Sequence, residues 1–168
     1  MSILEEIEKY FPYPSFRGGQ KEIAEAVFKA AEVGGHVVIE GPSGLGKTAA
    51  IVAGLAPHLA EESIRVLYLA RTHRELDRVI DELRLISDRL GVSAISIRGK
   101  REMCINRLIL EASPDHKSHV ELCSTAVKKG KCPYYENMFK YDYLIDEFLS
   151  KISTWPIKAL EIYEQGER

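Results

Sequence analysis

The stretch that constrains this chain most is His36–Thr48, HVVIEGPSGLGKT. Val37, Val38 and Ile39 form a short apolar run suited to a buried strand. The residues that follow, Gly41-Pro42-Ser43-Gly44-Leu45-Gly46-Lys47-Thr48, match G-x-x-x-x-G-K-S/T at every fixed position. Glycines at 41, 44 and 46 let the backbone take positive φ and crowd its N–H groups around a polyphosphate. A helix beginning near Lys47 aims its unpaired N–H groups and positive dipole end at the same phosphates. Lys47 supplies a mobile charge for the β- and γ-phosphates, and the Thr48 hydroxyl suits a Mg2+ ion. Gly41, Ser43, Gly44, Leu45, Gly46, Lys47 and Thr48 are therefore the expected contacts to ATP and Mg2+, with Lys47 and Thr48 nearest the chemistry. The bland alternative is a glycine-rich turn that fits the pattern by chance.

The flanking sequence supplies a setting for that loop. Residues 1–18, with Tyr10, Phe11, Pro12, Tyr13, Pro14 and Phe16, read as an irregular lead-in. Ile23, Val27 and Ala30 repeat at helical spacing from Gly19 to about Val33, and Gly34-Gly35 ends that helix. The helix after the loop should run to about Pro57 or slightly past it. Arg65–Ala70 is a second β-rich run, and Val92–Ile97 a third. Between them Thr72–Leu90 carries Leu76, Val79, Ile80, Leu83, Ile86 and Leu90 on one helical face. Strand, helix, strand, helix, strand at these spacings predicts βαβ units in a parallel sheet, an α/β nucleotide-binding half-domain over residues 1–98.

After Arg98 the pattern changes. Residues 99–168 read as a small, mainly helical insertion, helical again from Tyr134 to about Ile152, with a short polar helix after Pro156. Cys104, Cys123 and Cys132 lie here, separated by 18 and 8 residues. Three cysteines, with no cationic segment at the N-terminus, point to free thiols or metal ligands rather than disulfides. A net charge of −2 excludes a global basic field, so any nucleic acid must meet local patches. No apolar run is long enough to span a bilayer, so no membrane partner is expected.

Together these segments resemble the XPD-type iron–sulfur DNA helicases of superfamily 2, which include the DinG-like enzymes. RTHREL (Arg71–Leu76), RGKREMCIN (Arg98–Asn106) and KCPYY (Lys131–Tyr135), in this order behind the phosphate loop, carry the resemblance. It implies part of a RecA-like P-loop domain and an insertion in which cysteines hold a 4Fe-4S cluster. Cys104, Cys123 and Cys132 would be three of its ligands, with the fourth absent from this chain. A Cys3His zinc site completed by His116 or His119, or thiols with no metal at all, are the alternatives.

The resemblance further implies that Gln20, with Arg17 beside it, reads the adenine edge; ordinary surface residues at a helix start are the other reading. Arg71, Thr72 and His73 match a strip that contacts the single-stranded DNA backbone, and Thr72 to Glu75 is also a capping box. Lys100, Arg101, Tyr134 and Tyr135 interleave cations with aromatics, as single-stranded nucleic acid prefers. The implied function is the N-terminal ATP-binding and iron–sulfur portion of an ATP-dependent 5′→3′ DNA helicase in DNA repair. Its partners would be single-stranded DNA and DNA repair proteins, in the cytoplasm or, in a eukaryote, the nucleus. A non-catalytic P-loop module binding single-stranded DNA or a protein is the competing function. Asp146-Glu147 falls within a helical pattern and makes a poor Mg2+-binding acidic box, so the chain by itself is expected to turn ATP over poorly.

Overall fold

The structure, a computed structural model of the chain, describes residues 2–61, 64–152 and 155–166. It divides into two units: one runs to Ala94 with a short return at Pro156, the other starts at Ile95 and takes in the cysteines.

The first unit begins with a helix where an irregular lead-in was expected. In α1 (Ile3–Lys9) the Ser2 hydroxyl accepts from Glu5 N–H while the Glu5 carboxylate accepts from Ser2 N–H. That reciprocal cap satisfies two orphan donors and was readable in S-x-x-E. Ile7, fully buried, fixes α1 to α2 (Gln20–Val33) and α3 (Lys47–Ala60) through Phe11, Ile23, Ala24, Phe28, Ala49, Ala50 and Ala53. The alanines keep α3 narrow, and Gly54 lets it close on α2. A Cβ at Gly54 would run into the Ala24 carbonyl and the Val27 side chain. Gly54→Ala is expected to destabilise the unit by roughly 1–3 kcal/mol through overpacking, although alanine is the better helix former. A thermal melt of the variant checks this.

On the other side of α3, Val52 and Ala56 pack with Val79, Leu83, Ile86 and Leu90. These come from α4 (His73–Arg84) and the short α5 (Ser87–Leu90), one predicted helix that breaks at Leu85–Ile86. The turn lets Ile86 reach full burial.

The predicted parallel sheet does not form. Among the described residues there is no strand, and a single parallel bridge joins Ile95 to Ile157. Val37–Glu40, Arg65–Ala70 and Val92–Ile97 have no ladder between them. The expectation of a RecA-like half-domain built on a sheet is therefore corrected to a helical unit with unpaired connecting runs. The alternation seen in sequence does survive as packing. Ile39, Tyr68, Val92 and Ala94 lie against the helical core, while Val38 is 96% exposed, Leu67 84% and Leu69 81%. Periodicity and β-branching say which faces of a run are apolar. They do not supply the neighbouring backbone that makes it a strand, because sheet stability resides in cross-strand pairs.

The second unit is helical among its described residues. Its elements are α6 (Arg107–Ala112), α7 (His116–Lys128), α8 (Pro133–Lys140), α9 (Asp142–Ile152) and α10 (Ala159–Gly166). Asn106 caps α6 by accepting from Ile109 N–H, and Asp115 caps α7 by accepting from Ser118 N–H. The predicted 134–152 helix is interrupted at Tyr141, which separates α8 from α9. Ser96 holds the α10 entrance: its N–H donates to the Ile157 carbonyl, and its hydroxyl accepts from Ala159 N–H.

Candidate functional site

The phosphate loop bends through two glycines in the left-handed region, Gly44 at φ 82° and Gly46 at φ 84°. Gly46 is the residue before α3, so the backbone conformation that only glycine takes easily is what starts the helix at Lys47. Leu45 anchors the loop by packing against the core of the first unit. Pro42, Ser43 and Gly44 remain exposed above it. The Lys47 ammonium turns back and donates to the Gly41 carbonyl at 2.8 Å and the Pro42 carbonyl at 3.0 Å. A lysine held this way is folded over its own loop, with its charge where an anion would be drawn in. Thr48 is half-buried in the first turn of α3.

Gln20 is 3% exposed, and both ends of its amide are engaged. Its Nε2 donates to the Gly46 carbonyl at 3.2 Å, and its Oε1 accepts from Arg17 N–H at 2.8 Å. Gln20 therefore ties the start of α2 to the phosphate loop, while the Arg17 side chain is exposed. A Cβ at Gly46 would collide with that amide, a second constraint on glycine there.

Thr72 accepts from Glu75 N–H, and Glu75 accepts from the backbone of both Thr72 and Arg71. The capping box is thus present. Arg71, Thr72 and His73 are exposed around it, with the Arg71 side chain 89% accessible. Thr72→Ala should cost about 1 kcal/mol of stability, read by chemical denaturation, without altering the rest of the loop.

In the second unit Cys104 and Cys132 meet at Asn106. The Asn106 Nδ2 donates to Cys132 Sγ at 3.8 Å, and Cys104 Sγ donates to the Asn106 carbonyl at 4.0 Å. Cys123, on α7, and Cys132, just before α8, are both 7% exposed. Burial pushes the Cys104 thiol above its ordinary range, and the Cys123 and Cys132 sulfurs push it the same way against the Asn106 bond. Asn106 was missed in the sequence, though an Asn ahead of an apolar helical run is a capping signal.

Residues 68–168 match the DEAD_2 family. The chain belongs to that family. It is 28% identical over 120 residues to the Arabidopsis thaliana general transcription and DNA repair factor IIH helicase subunit XPD, covering 65% of this chain and 16% of that protein. The corresponding XPD/RAD3 subunit of Saccharomyces cerevisiae is 24% identical over 175 residues, 88% of this chain and 22% of the relative. The regulator of telomere elongation helicase 1 of Bos taurus is 32% identical over 89 residues, 53% and 7% of the two chains. The resemblance to XPD-type helicases therefore holds, and the chain spans a fifth or so of the XPD relatives it matches. No solved structure matches. The DEAD_2 region starts after the phosphate loop and includes all three cysteines.

A 4Fe-4S cluster is the group that resemblance implies, with Cys104, Cys123 and Cys132 as the thiols that would hold it. No group of three or more His, Cys, Asp or Glu among the described residues is placed to hold one metal ion. The Cys3His zinc alternative with His116 or His119 accordingly has no assembled geometry. Thiols are the soft donors that iron–sulfur centres select. Lys100 is exposed, and Arg101 turns its guanidinium to the Ser113 carbonyl at 3.3 Å. Tyr134 and Tyr135 are exposed on α8, with the Tyr135 ring edge-on to Phe139 at 5.3 Å. Arg71, Thr72 and His73 belong to the first unit, the other four candidates for DNA contact to the second. No helix among the described residues is long and apolar enough to cross a membrane.

Proposed function

We propose that this chain is the ATP-binding and iron–sulfur portion of an ATP-dependent 5′→3′ DNA helicase acting in DNA repair. The observation that carries the reading is the contact of both Cys104 and Cys132 with Asn106 within the DEAD_2 region, which also contains Cys123. The phosphate loop ahead of it supports the nucleotide half. When a triphosphate enters, Lys47 exchanges the carbonyls of Gly41 and Pro42 for phosphate oxygens, and the α3 N-terminus adds N–H donors. The Thr48 hydroxyl would hold Mg2+, which would supply positive charge against the phosphates. Gln20 keeps a second Nε2–H and a second Oε1 lone pair for the base, and its bond to Gly46 links base recognition to the posture of the loop. Cys104, Cys123 and Cys132 would be the thiols that hold a cluster, which would supply a cross-link and a redox-active centre to the insertion.

Single-stranded DNA meets Arg71, Thr72 and His73 through backbone phosphates. In the second unit it meets Lys100, Arg101, Tyr134 and Tyr135 by charge and base stacking. Asp146 and Glu147 are exposed on α9, a helix rather than the end of a strand, so this chain alone should turn ATP over slowly. The reading places the protein in the nucleus of a eukaryote or the cytoplasm of a prokaryote.

The test is anaerobic reconstitution of the full chain with ferrous iron and sulfide. The expected result is bound iron and acid-labile sulfide that are lost in air, together with ATP–Mg2+ binding by calorimetry. A chain that takes up ATP but no iron under these conditions would leave the second function, a non-catalytic P-loop module. A chain that binds neither would end both readings.

A further inference from the structure

Helix α4 buries Val79, Ile80 and Leu83 and, among these apolar residues, Glu82, which is 4% exposed. A buried carboxylate is costly unless it is paired and hydrogen-bonded. The Tyr13 hydroxyl donates to this one, 3.0 and 3.2 Å from its two oxygens, and the Arg78 guanidinium lies 3.8 Å from one of them. An apolar side chain would serve packing at position 82 without the desolvation cost. What the carboxylate adds is its bond to Tyr13. Burial, and then the Glu82 carboxylate, raise the pKa of the phenol above its ordinary range, so it stays a donor across neutral pH.

Tyr13 lies between α1 and α2, 69 residues from its acceptor. The rings of this segment pack on one another. Phe11, buried, meets Tyr13 edge-on at 5.8 Å between centroids and stacks on Phe16 at 3.9 Å. Arg17 follows directly, and its N–H donates to the Gln20 amide, which in turn donates to the Gly46 carbonyl. A continuous series of packed rings and hydrogen bonds thus runs from α4 through Tyr13 to the residue that starts α3, all within the first unit. A recognition group has to be held within about 0.5 Å by its supports, and this series is what holds Gln20 from behind. We propose that Tyr13 and Glu82 are positioning residues for adenine: their hydrogen bond fixes the segment ahead of α2, so that the Gln20 amide presents its free Nε2–H and Oε1 lone pair to the base. Neither residue touches the nucleotide. This inference rests on the ATP-binding reading given under the proposed function.

The experiment measures ATP–Mg2+ and GTP–Mg2+ binding to the full chain by calorimetry, with a melting curve for each variant. Tyr13→Phe, which deletes only the hydroxyl, should weaken ATP binding roughly three- to tenfold and GTP binding less, so that the preference for adenine shrinks. Glu82→Leu, which suits the apolar face of α4, should do the same, and it decides the matter if Tyr13→Phe fails to fold. Glu82→Gln, whose amide oxygen still accepts from the phenol, should hold the native ratio. Lowered melting temperatures with an unchanged ATP-to-GTP ratio in folded Tyr13→Phe and Glu82→Leu proteins would reduce the pair to a packing contact and overturn the proposal. If Gln20→Ala erases the preference while Tyr13→Phe and Glu82→Leu keep it, the adenine assignment survives and this inference alone fails. A native chain that binds ATP and GTP alike overturns it through Gln20. A native chain that binds neither removes the nucleotide reading together with it.

Discussion

Lys47→Ala is expected to weaken ATP–Mg2+ binding by about 10- to 100-fold, as measured by calorimetry on the full chain. The ammonium is the mobile cation of the loop, and a hydrogen bond to a charged group contributes roughly 1.5–3 kcal/mol. In the folded chain that ammonium is not idle, because it bonds the carbonyls of Gly41 and Pro42. Alanine therefore removes a phosphate contact and also a clasp that holds the loop closed. Lys47→Arg separates the two effects. It keeps the charge but replaces a compact ammonium by a planar fork that does not fit the same pair of carbonyls. If Lys47→Ala bound ATP as tightly as the native chain, the nucleotide assignment would be wrong. Melting temperature, followed alongside, shows whether the loop itself has been lost.

The second large effect concerns the cysteines. Cys132→Ser should strip the reconstituted chain of nearly all its iron, since a hydroxyl is a poor ligand for a soft iron–sulfur centre. Cys132 also precedes α8, with Pro133 at the first helical position. Asn106→Ala is the informative companion. It deletes the N–H on Cys132 and the α6 cap together, at a cost of about 1 kcal/mol for the cap. It should leave a cluster that forms but is lost faster in air. Retention of full iron by Cys132→Ser would show that the sulfur at 132 is not a ligand.

How much of this could be read beforehand depends on whether the information was local. The start of α3 at Lys47 follows from glycine geometry and the loop pattern, and the Thr72 cap from four adjacent residues. α1 was equally local and was overlooked, because the aromatic and proline residues after it drew the reading toward a loop. The sheet failed for the opposite reason. Val37–Glu40, Arg65–Ala70 and Val92–Ile97 each have the composition of a strand, yet pairing is a relation between distant segments that composition does not encode. The site divides in the same way. Lys47, Thr48 and the three cysteines came from motif spacing, with their cluster role from the resemblance. The engagement of Gln20 with Gly46, and the place of Asn106 between two sulfurs, depend on contacts 26 residues apart and had no signal in the sequence alone.

The unpaired runs bear on how the chain responds to denaturant. Val38, Leu67 and Leu69 already face water in the folded protein, and their backbones lack a ladder that unfolding would have to break. Urea acts in proportion to the surface that unfolding newly exposes. A chain of 168 residues with this much apolar side chain already solvated should therefore unfold with a shallow denaturant dependence. Its midpoint would then overstate how firmly α1, α2 and α3 are held to one another.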